Sequence, residues 1–240
     1  MPKIELLHID CMEYMATLPD KAFELAIVDP EYRDKNQPTK EMRNKIGGKM
    51  NWYGKPTEEY FKQLFRVSKN QIIWGANNFI EHLYSTNCFL FWYKNNPMDN
   101  YSDGELAWTS FDSVAKCINI PHFGAHTADK DKIHPTQKPV KLYKWILNQY
   151  AYCRNCKNNG SFYEDVVGDG GSRMLVDCEY CEISETGHAP RILDTHGGSR
   201  SLAIACHQMG FDHVSCELDK DYHEASVKRF KEQTAQLSLL

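Results

Sequence analysis

Two separate runs of the sequence bring together residue types that can bind a nucleoside. One run, Asp194-Thr195-His196-Gly197-Gly198-Ser199, follows a short apolar segment, and Glu217 stands 20 residues beyond Gly197. Glycines in a strand-to-helix turn let the backbone approach a ligand, and an acid at the end of the next strand can accept hydrogen bonds from ribose hydroxyls. The glycines alone are equally typical of a tight structural turn. The added acid favours a ligand that contains a nucleoside.

The residues of this turn narrow the choice of ligand further. A nicotinamide dinucleotide requires a pyrophosphate cradle of spaced glycines, and the third glycine of that pattern is missing here. Asp194 opens the turn instead, and a carboxylate beside the ligand suits a cationic group better than a phosphate. The amino and sulfonium groups of S-adenosylmethionine are such cations, so the turn favours this cofactor.

The second run, Asp29-Pro30-Glu31-Tyr32, directly follows the apolar segment 23–28. A run in this position lies at the carboxyl edge of a parallel sheet, where α/β folds bind their ligands. A carboxylate that accepts a hydrogen bond from an exocyclic amine, beside a ring that stacks on a base, suits chemistry on a flipped nucleobase. Taken alone, the four residues are more typical of a strand-ending turn with a core tyrosine.

Four of the nine cysteines have the spacing of a metal site. The pattern Cys153-x2-Cys156-x21-Cys178-x2-Cys181 predicts a structural zinc site with four thiolate ligands, inside an insertion at 152–189. Chance spacing and redox-active pairs are the alternatives. The insertion carries three basic and seven acidic side chains, so we predict a role in packing, protein contact or dimer formation rather than in phosphate binding. The single cysteines are predicted core residues, namely Cys11, Cys88, Cys117, Cys206 and Cys216.

The elements that must position these runs alternate between strands and helices. This alternation predicts an α/β fold with a doubly wound, mostly parallel sheet, built from 1–151 and 190–240 and interrupted by the insertion. Segments 105–110 and 113–118 are predicted to pair as a hairpin. The other predicted strands are 4–9, 23–28, 71–74, 88–93, 191–194 and 212–217, and the predicted helices are 12–18, 57–67, 77–83, 140–150, the segment from the Gly198 turn to 209, and 219–231.

Composition argues against several classes of protein. The chain has 240 residues, of which 42% are hydrophobic and 25% charged, as in globular proteins and unlike disordered ones. A net charge of −4 argues against a protein that coats nucleic acid by bulk electrostatics. The longest dense apolar run, 88–93, is far shorter than the roughly 20 residues of a membrane span, and the first residues contain no apolar signal core. We therefore expect a cytoplasmic protein without membrane contact.

Basic residues are concentrated in one part of the chain. Residues 33–69 contain ten Lys and Arg against four acids, which gives a local charge of +6. With Trp52, Tyr53, Tyr60 and Phe61 among these bases, the segment is the candidate for contact with a DNA backbone. A solvated loop and helix face is the alternative interpretation.

Together with a third run, His134-Pro135-Thr136-Gln137-Lys138-Pro139, the two ligand-binding runs resemble the β-class amino-methyltransferases of DNA. The acceptor run precedes the cofactor run, which is the permuted order of that class. The resemblance covers about 1–150 and 190–235 and implies a methyltransferase (Rossmann-like) sheet. Three further strings resemble the phage-type N6-adenine branch, namely Ile9-Asp10-Cys11, Trp74-Gly75-Ala76-Asn77-Asn78 and Glu105-Leu106-Ala107-Trp108.

The resemblance implies a role for each matching residue. Asp29 and the Pro30 carbonyl would hold the target amine, and Tyr32 would stack on the extruded base. An aspartate at the first position is typical of the adenine-N6 enzymes, whereas cytosine-N4 enzymes usually carry serine. The cofactor-binding residues would be Asp10 for the adenine amine, Glu217 for the ribose, Asp194, Thr195, Gly197 and Ser199 for the methionine part, and Lys138 and His134 for its carboxylate.

The implied activity is transfer of a methyl group from S-adenosylmethionine to adenine N6 of a flipped base in double-stranded DNA, as in restriction-modification systems of a bacterial or phage-infected cell. Cytosine N4 or RNA is the alternative acceptor, and a homodimer is a candidate assembly. Two departures favour a third alternative, a catalytically inactive member that binds DNA or protein. Glu31 stands where the class usually has proline, and Arg200 where it usually has glycine.

Overall fold

The computed structural model describes residues 1–32, 54–96, 99, 102–122, 132–134, 136–152, 161–165, 173–177 and 190–235. Ten strands lie in this part of the chain: β1 Ile4–His8, β2 Phe23–Val28, β3 Ser68–Trp74, β4 Phe89–Tyr93, β5 Gly104–Thr109, β6 Lys116–Asn119, β7 Ser161–Asp165, β8 Arg173–Asp177, β9 Arg191–Asp194 and β10 Asp212–Glu217. The described helices are α1 Cys11–Ala16, α2 Glu58–Val67, α3 Val140–Tyr150, α4 Ser201–Met209 and α5 Lys220–Ala235.

Eight of these strands form one sheet in the order β1-β10-β9-β2-β3-β5-β4-β6. Five of the seven neighbouring pairs are parallel, and β5 is antiparallel to both of its neighbours. The predicted doubly wound, mostly parallel sheet is therefore confirmed. The carboxyl ends of β1, β10, β9 and β2 all lie at one edge, so the residues that follow these strands are brought together.

The predicted hairpin between 105–110 and 113–118 is wrong. In the structure β5 lies between β3 and β4, and β6 instead pairs in parallel with β4 at the edge of the sheet. The inner position buries Ala107, Trp108 and Thr109, which an edge hairpin would leave partly exposed. The predicted helix 77–83 is also wrong, because two short 3₁₀ turns occupy Ala76–Asn78 and Ile80–His82.

Helices cover both faces of the sheet. On one face, α3 and α4 pack through residues such as Leu142, Ile146 and Leu202. On the other face, α1 and α2 contribute Met15 and Leu64 among others. None of the helices in the described ranges is both long enough and apolar enough to cross a membrane.

The burial of individual side chains contradicts two groups of sequence predictions. Tyr60 and Phe61 lie on the inner face of α2 and are buried in the core, so the prediction that they contact DNA is wrong. Trp52 and Tyr53 lie outside the described residues. Cys117 is exposed on edge strand β6, where alternate side chains point to solvent, so its predicted core position is wrong too. Cys88, Cys206 and Cys216 are buried and Cys11 is half-buried.

Strands β7 and β8 pair with each other in an antiparallel two-stranded sheet, with Ser161 opposite Asp177. They lie inside the predicted insertion 152–189. The predicted zinc ligands Cys153, Cys156, Cys178 and Cys181 fall outside the described residues. Within the described residues, no group of three or more His, Cys, Asp or Glu side chains is arranged to hold a metal ion.

Candidate functional site

A cavity of about 540 Å³ opens at the carboxyl ends of β1, β2, β9 and β10. Its volume lies in the range of ligand pockets of small molecules, about 300–1,000 Å³. It is lined by all eleven predicted catalytic and cofactor-binding residues: Asp10, Asp29, Pro30, Tyr32, His134, Lys138, Asp194, Thr195, Gly197, Ser199 and Glu217. The structure thus brings together the residues of three runs that are far apart in sequence.

Two backbone amides of the turn after β9 donate to the end of β10, one to a backbone carbonyl and one to a side-chain carboxylate. The Gly197 amide donates to the Cys216 carbonyl at 2.7 Å, and the Gly198 amide donates to Oε2 of Glu217 at 2.8 Å. Asp194 accepts the His196 amide at 3.0 Å, which closes the start of the turn. The turn therefore takes its shape from amides at the strand ends.

Glu217 is held by an amide at each carboxylate oxygen. Besides the Gly198 amide on Oε2, the Asp219 amide donates to Oε1 at 3.0 Å. Each carboxylate oxygen accepts about two hydrogen bonds, so an oriented Glu217 retains acceptor capacity toward the cavity. Asp10 has two roles in the structure. Its carboxylate accepts the Met12 amide at 2.6 Å and so caps α1, and the residue also lines the cavity. Backbone amides therefore fix both acids at the edge of the cavity.

Asp194 is the buried carboxyl of the turn. Burial raises the pKa of Asp194 to about 7, and the nearby negative charges of Asp29 and Glu217 act in the same direction. A positively charged ligand group beside this carboxyl would relieve the cost of its ionisation. The residues present therefore fit the cationic end of S-adenosylmethionine.

Arg200, one of the two departures, lies beneath the turn and not in the cavity. It has a left-handed backbone with φ of 59°, and its side chain is fully buried. The guanidinium donates to the Ser215 hydroxyl, to the Leu7 carbonyl at 3.2 Å and to Nδ1 of His223 at 3.2 Å. A Cβ atom on Gly197 would lie 2.0 Å from Nη1 of Arg200. The missing side chain at Gly197 thus provides the space that the arginine occupies.

Asp29 carries a donor on each of its two oxygens. The Tyr32 hydroxyl donates to Oδ1, and the Lys138 ammonium donates to Oδ2. The Tyr32 ring packs against Gly75, where a Cβ atom would lie 2.1 Å from the ring, and meets Phe79 edge-on at 6.2 Å. Burial raises the pKa of Asp29, and Lys138 opposes this rise. The acceptor run is therefore a fixed cluster rather than a simple strand-ending turn.

Lys138 lies beside Asp29 in the cavity. Its Nζ binds Asp29 and approaches Oε2 of Glu105 to 3.0 Å. Burial opposes its charge, but the carboxylates of Asp29 and Glu105 raise the pKa of Lys138 above its ordinary value. His134 lies at the turn instead, because its ring is 3.9 Å from the Cβ position of Gly198 and 4.6 Å from the Tyr222 ring. Of the two residues predicted to bind the cofactor carboxylate, His134 lies beside the Gly198 turn and Lys138 lies beside Asp29.

No catalytic or cofactor-binding role was predicted from the sequence for several residues of the site. The Tyr60 hydroxyl lies 2.7 Å from Oγ1 of Thr195, which connects α2 to the turn. Glu105 stands beside Lys138, and its signal in the sequence is a charge at the first position of the predicted strand 105–110. Glu31, the other departure, accepts the Gly54 amide at 2.9 Å and so fixes the chain that leads into α2. None of these contacts has a local sequence motif.

Comparison with solved structures supports this fold. No protein-family model matches the chain, and no curated protein sequence matches it. The complex of M1.HpyAVI with S-adenosylmethionine matches with a TM-score of 0.53 at 19% identity, over 95% of this chain and 98% of the other. TTHA0409 from Thermus thermophilus, complexed with S-adenosyl-L-methionine, matches with a TM-score of 0.51 at 11% identity, over 98% and 95%.

A third structure extends the comparison to another acceptor. The PvuII DNA methyltransferase, which is cytosine-N4-specific, matches with a TM-score of 0.52 at 11% identity, over 98% of this chain and 94% of the other. The match extends over nearly the whole of both chains in all three cases. At these identities the likeness establishes the architecture of the chain, which is the Rossmann-like fold of DNA methyltransferases.

Proposed function

We propose that this protein transfers a methyl group from S-adenosylmethionine to the exocyclic amine of a base in DNA, and that the acceptor is adenine N6. One observation carries the proposal. The Asp29 cluster and the turn from Asp194 to Ser199 face the same cavity of about 540 Å³, so an amine held by the first lies beside a cofactor held by the second. Structures of similar fold bind S-adenosylmethionine or are named DNA methyltransferases.

Each side of the cavity would have its own task. On the cofactor side, Asp194 would pair with the cationic end, and Glu217 and Asp10 would hold the nucleoside. The bound cofactor supplies an electrophilic methyl group on a sulfonium. On the acceptor side, an ionised Asp29 and the Pro30 carbonyl would accept the N–H groups of the amine and direct its lone pair at that methyl group. Alignment of this kind supplies most of the rate when no strong base is required.

The preference for adenine rests on Asp29. Aspartate at this position is typical of the adenine-N6 enzymes that the sequence resembles, and serine is more usual for cytosine N4. The fold itself is shared with a cytosine-N4 enzyme. The acceptor is therefore the part of the proposal that direct product analysis must test.

The two departures are compatible with activity. Glu31 accepts the Gly54 amide, and Arg200 is buried beneath the turn and does not line the cavity. Glu31 lines the cavity, with its carboxylate held by that amide. These contacts favour an active enzyme over a member that only binds DNA or protein.

Product analysis tests the proposal directly. Purified protein is incubated with methyl-labelled S-adenosylmethionine and unmethylated double-stranded DNA, and the DNA is digested to nucleosides. We expect label in N6-methyl-2′-deoxyadenosine. Label in N4-methyl-2′-deoxycytidine would overturn the adenine assignment alone. A protein that binds the cofactor in calorimetry but labels neither DNA nor RNA would support the inactive alternative.

Double-stranded DNA is the proposed macromolecular partner, and the basic segment 33–69 remains the proposed contact. In its described part, Arg66 donates to the Leu18 and Met15 carbonyls and Lys62 pairs with Glu58, so both have partners within the protein. Among the described bases of the segment, Lys55 lines the cavity. The remaining bases of the segment, before residue 54, lie outside the described residues.

A structural zinc ion is proposed for the four paired cysteines. The register of β7 and β8 supports it, because Ser161 and Asp177 are opposite each other. Cys178 follows Asp177 directly and Cys156 stands five residues before Ser161, so both pairs adjoin the same end of this hairpin in sequence. Elemental analysis should find one zinc per chain, and Cys178→Ser should lose it. If that variant stays folded but loses only DNA affinity, the proposed packing role is wrong.

A further inference from the structure

Four charged side chains form a row that leads to the acceptor carboxylate. Nζ of Lys94 lies 2.5 Å from Oε1 of Glu105, Oε2 of Glu105 lies 3.0 Å from Nζ of Lys138, and Lys138 donates to Asp29. The four residues come from the end of β4, from β5, from the segment before α3 and from the end of β2. Charges of opposite sign alternate along the whole row.

The row lies inside the protein. The side chain of Lys138 is 3% exposed, and the side chains of Lys94 and Asp29 are each 18% exposed. Lys94 also lies above the Trp92 ring, with Nζ 5.0 Å from the ring centroid. Glu105 lines the cavity, whereas Lys94 does not. Lys94 therefore does not contact a substrate in this cavity directly, and it can act on one only through the other members of the row.

Glu105 and Asp29 share one ammonium group, that of Lys138. Two carboxylates around a single cation cannot both remain fully ionised in a buried site, so one of them would take up a proton. Lys94 supplies the second cation and balances the charge. Burial opposes ionisation of Glu105, but Lys138 and Lys94 lower its pKa to about 2, whereas burial raises the pKa of Asp29. As pH falls, Asp29 is therefore the carboxyl that protonates before Glu105, and loss of the Lys94 charge would favour protonation of the row.

We propose that Lys94 and Glu105 are positioning residues, which act through Lys138 to keep Asp29 ionised and oriented toward the amine of the base. The inference rests on the proposed function, because an amine acceptor requires a carboxylate without a proton at this position. An ionised Asp29 accepts the N–H of the amine, whereas a protonated one presents a donor and misdirects the lone pair.

The groups that face Asp29 come from every element packed around it. They are Tyr32 on the same turn, Lys138 before α3, Glu105 on β5, Tyr143 on α3 and Asp194 at the end of β9. Burial raises the pKa of both tyrosines well above the ordinary value, so they stay neutral across the tested range. A change made at Lys94 leaves all five in place, and the effect on Asp29 then reports the charge at Lys94.

The test compares pH profiles of methyl transfer at saturating cofactor. Lys94→Met should move the acidic limb of the kcat profile upward by about half a unit to one unit, because a nearby cation is lost. Lys94→Arg should keep the profile of the unmodified protein, and Lys141→Met, at an exposed lysine of α3, should not change it. Glu105→Gln added to Lys94→Met should restore the profile, because the row again has one carboxylate and one cation.

The rescue separates charge balance from packing. If Lys94 acted only by covering the Trp92 ring, Glu105→Gln would not repair its loss, and such a result would overturn the proposal. An unchanged profile in Lys94→Met would overturn it as well.

A second measurement does not depend on activity. The carboxyl carbon of Asp29 can be titrated by NMR in protein with labelled aspartate, and Asp29→Asn identifies its signal. The titration midpoint should rise in Lys94→Met and return in the double variant. If it does so while no variant transfers methyl groups, the proposed function fails and the charge relation stands. If the midpoint stays constant, the charge relation fails whatever the activity.

Discussion

The two sides of the cavity are held together by different interactions. On the cofactor side, the turn is fixed by backbone amides, from Gly197 to the Cys216 carbonyl and from Gly198 to Glu217. On the acceptor side, Asp29 is fixed by side chains from other elements, chiefly by the charge of Lys138. One side follows from the local course of the chain, and the other depends on charges distant in sequence.

This difference predicts different responses to substitution. Several separate hydrogen bonds of backbone amides hold the cofactor turn, so loss of one acceptor leaves the others in place, and the cofactor side should lose affinity in steps of single contacts. In the acceptor row, removal of one member leaves a buried charge without its partner, which costs several kcal/mol in other buried ion pairs. The acceptor side should therefore fail more abruptly than the cofactor side.

The largest expected effect is that of Asp29→Asn. The variant keeps the shape of the side chain but removes the negative charge that would orient the amine and pair with Lys138. We expect the rate of methyl transfer to fall by about 10²- to 10³-fold, as when one oriented polar group is removed from other active sites. Cofactor affinity in calorimetry should change far less than the rate, because Asp29 lies on the other side of the cavity and acts on Asp194 only through its charge.

Asp112→Asn, at an exposed carboxylate, is the matched control and should keep full activity. An equal loss of rate and of cofactor affinity in Asp29→Asn would mean that the two sides are not energetically separate.

The next effect is expected at Glu217. In Glu217→Gln the side-chain amide would face the amide donors of Gly198 or Asp219, so the turn loses an acceptor. Loss of a hydrogen bond to a charged group costs about 1.5–3 kcal/mol, which corresponds to about 10- to 100-fold weaker cofactor binding. The transfer rate at saturating cofactor should change little. Glu224→Gln, at an exposed position of α5, should leave both quantities unchanged.

In Glu217→Gln, KM for the cofactor should rise while kcat stays nearly constant. This result would sharpen the contrast with Asp29→Asn, in which kcat falls. A variant that retains affinity but loses rate would assign Glu217 to the acceptor chemistry instead.

A smaller effect should follow pH through Asp194, whose pKa in the folded protein is raised to about 7 by burial. This pKa lies above that of an unfolded aspartate, about 3.9. Ionisation of Asp194 therefore destabilises the free folded protein as pH rises from about 3.9 to about 7. A cationic ligand beside Asp194 removes this cost of ionisation. Cofactor affinity should strengthen by about tenfold between pH 6 and pH 8, because binding is linked to loss of one proton.

Calorimetry across this range measures the dependence, and Asp194→Asn shows how much of it belongs to the cofactor's own groups. An identical pH dependence in the variant would remove Asp194 from the cofactor site.

The contrast between the two sides also explains how much could be predicted from sequence. Strands β2, β9 and β10 and helix α3 match their predicted ranges, because a dense apolar run or a helical spacing is a local signal. The cofactor turn is local in the same sense, since Asp194, the glycines and the following helix are consecutive. Glu217 could be identified from the sequence because the 20-residue spacing from Gly197 to Glu217 matches the length of one helix and one strand.

The rest depended on tertiary contacts. No local signal shows that Glu105 approaches Lys138 or that Lys94 completes the row, because these residues meet only when β5 lies between β3 and β4. The order of the strands was itself mispredicted at β5 and β6. Tyr60 and Phe61 were assigned to a DNA surface from the charge of their neighbours, whereas α2 turns this face into the core.

The smallest predicted effect tests a side-chain hydrogen bond between α2 and the cofactor turn. Tyr60→Phe removes the hydroxyl that lies 2.7 Å from Oγ1 of Thr195 and keeps the buried ring. Loss of one neutral hydrogen bond costs about 0.5–1.5 kcal/mol, so cofactor binding should weaken by about two- to tenfold. Tyr84→Phe, at a half-exposed ring, is the control and should bind as the unmodified protein does. Because backbone amides fix the turn independently of Tyr60, a loss much larger than tenfold would show that the cofactor side also depends on distant side chains, and the contrast with the acceptor side would then disappear.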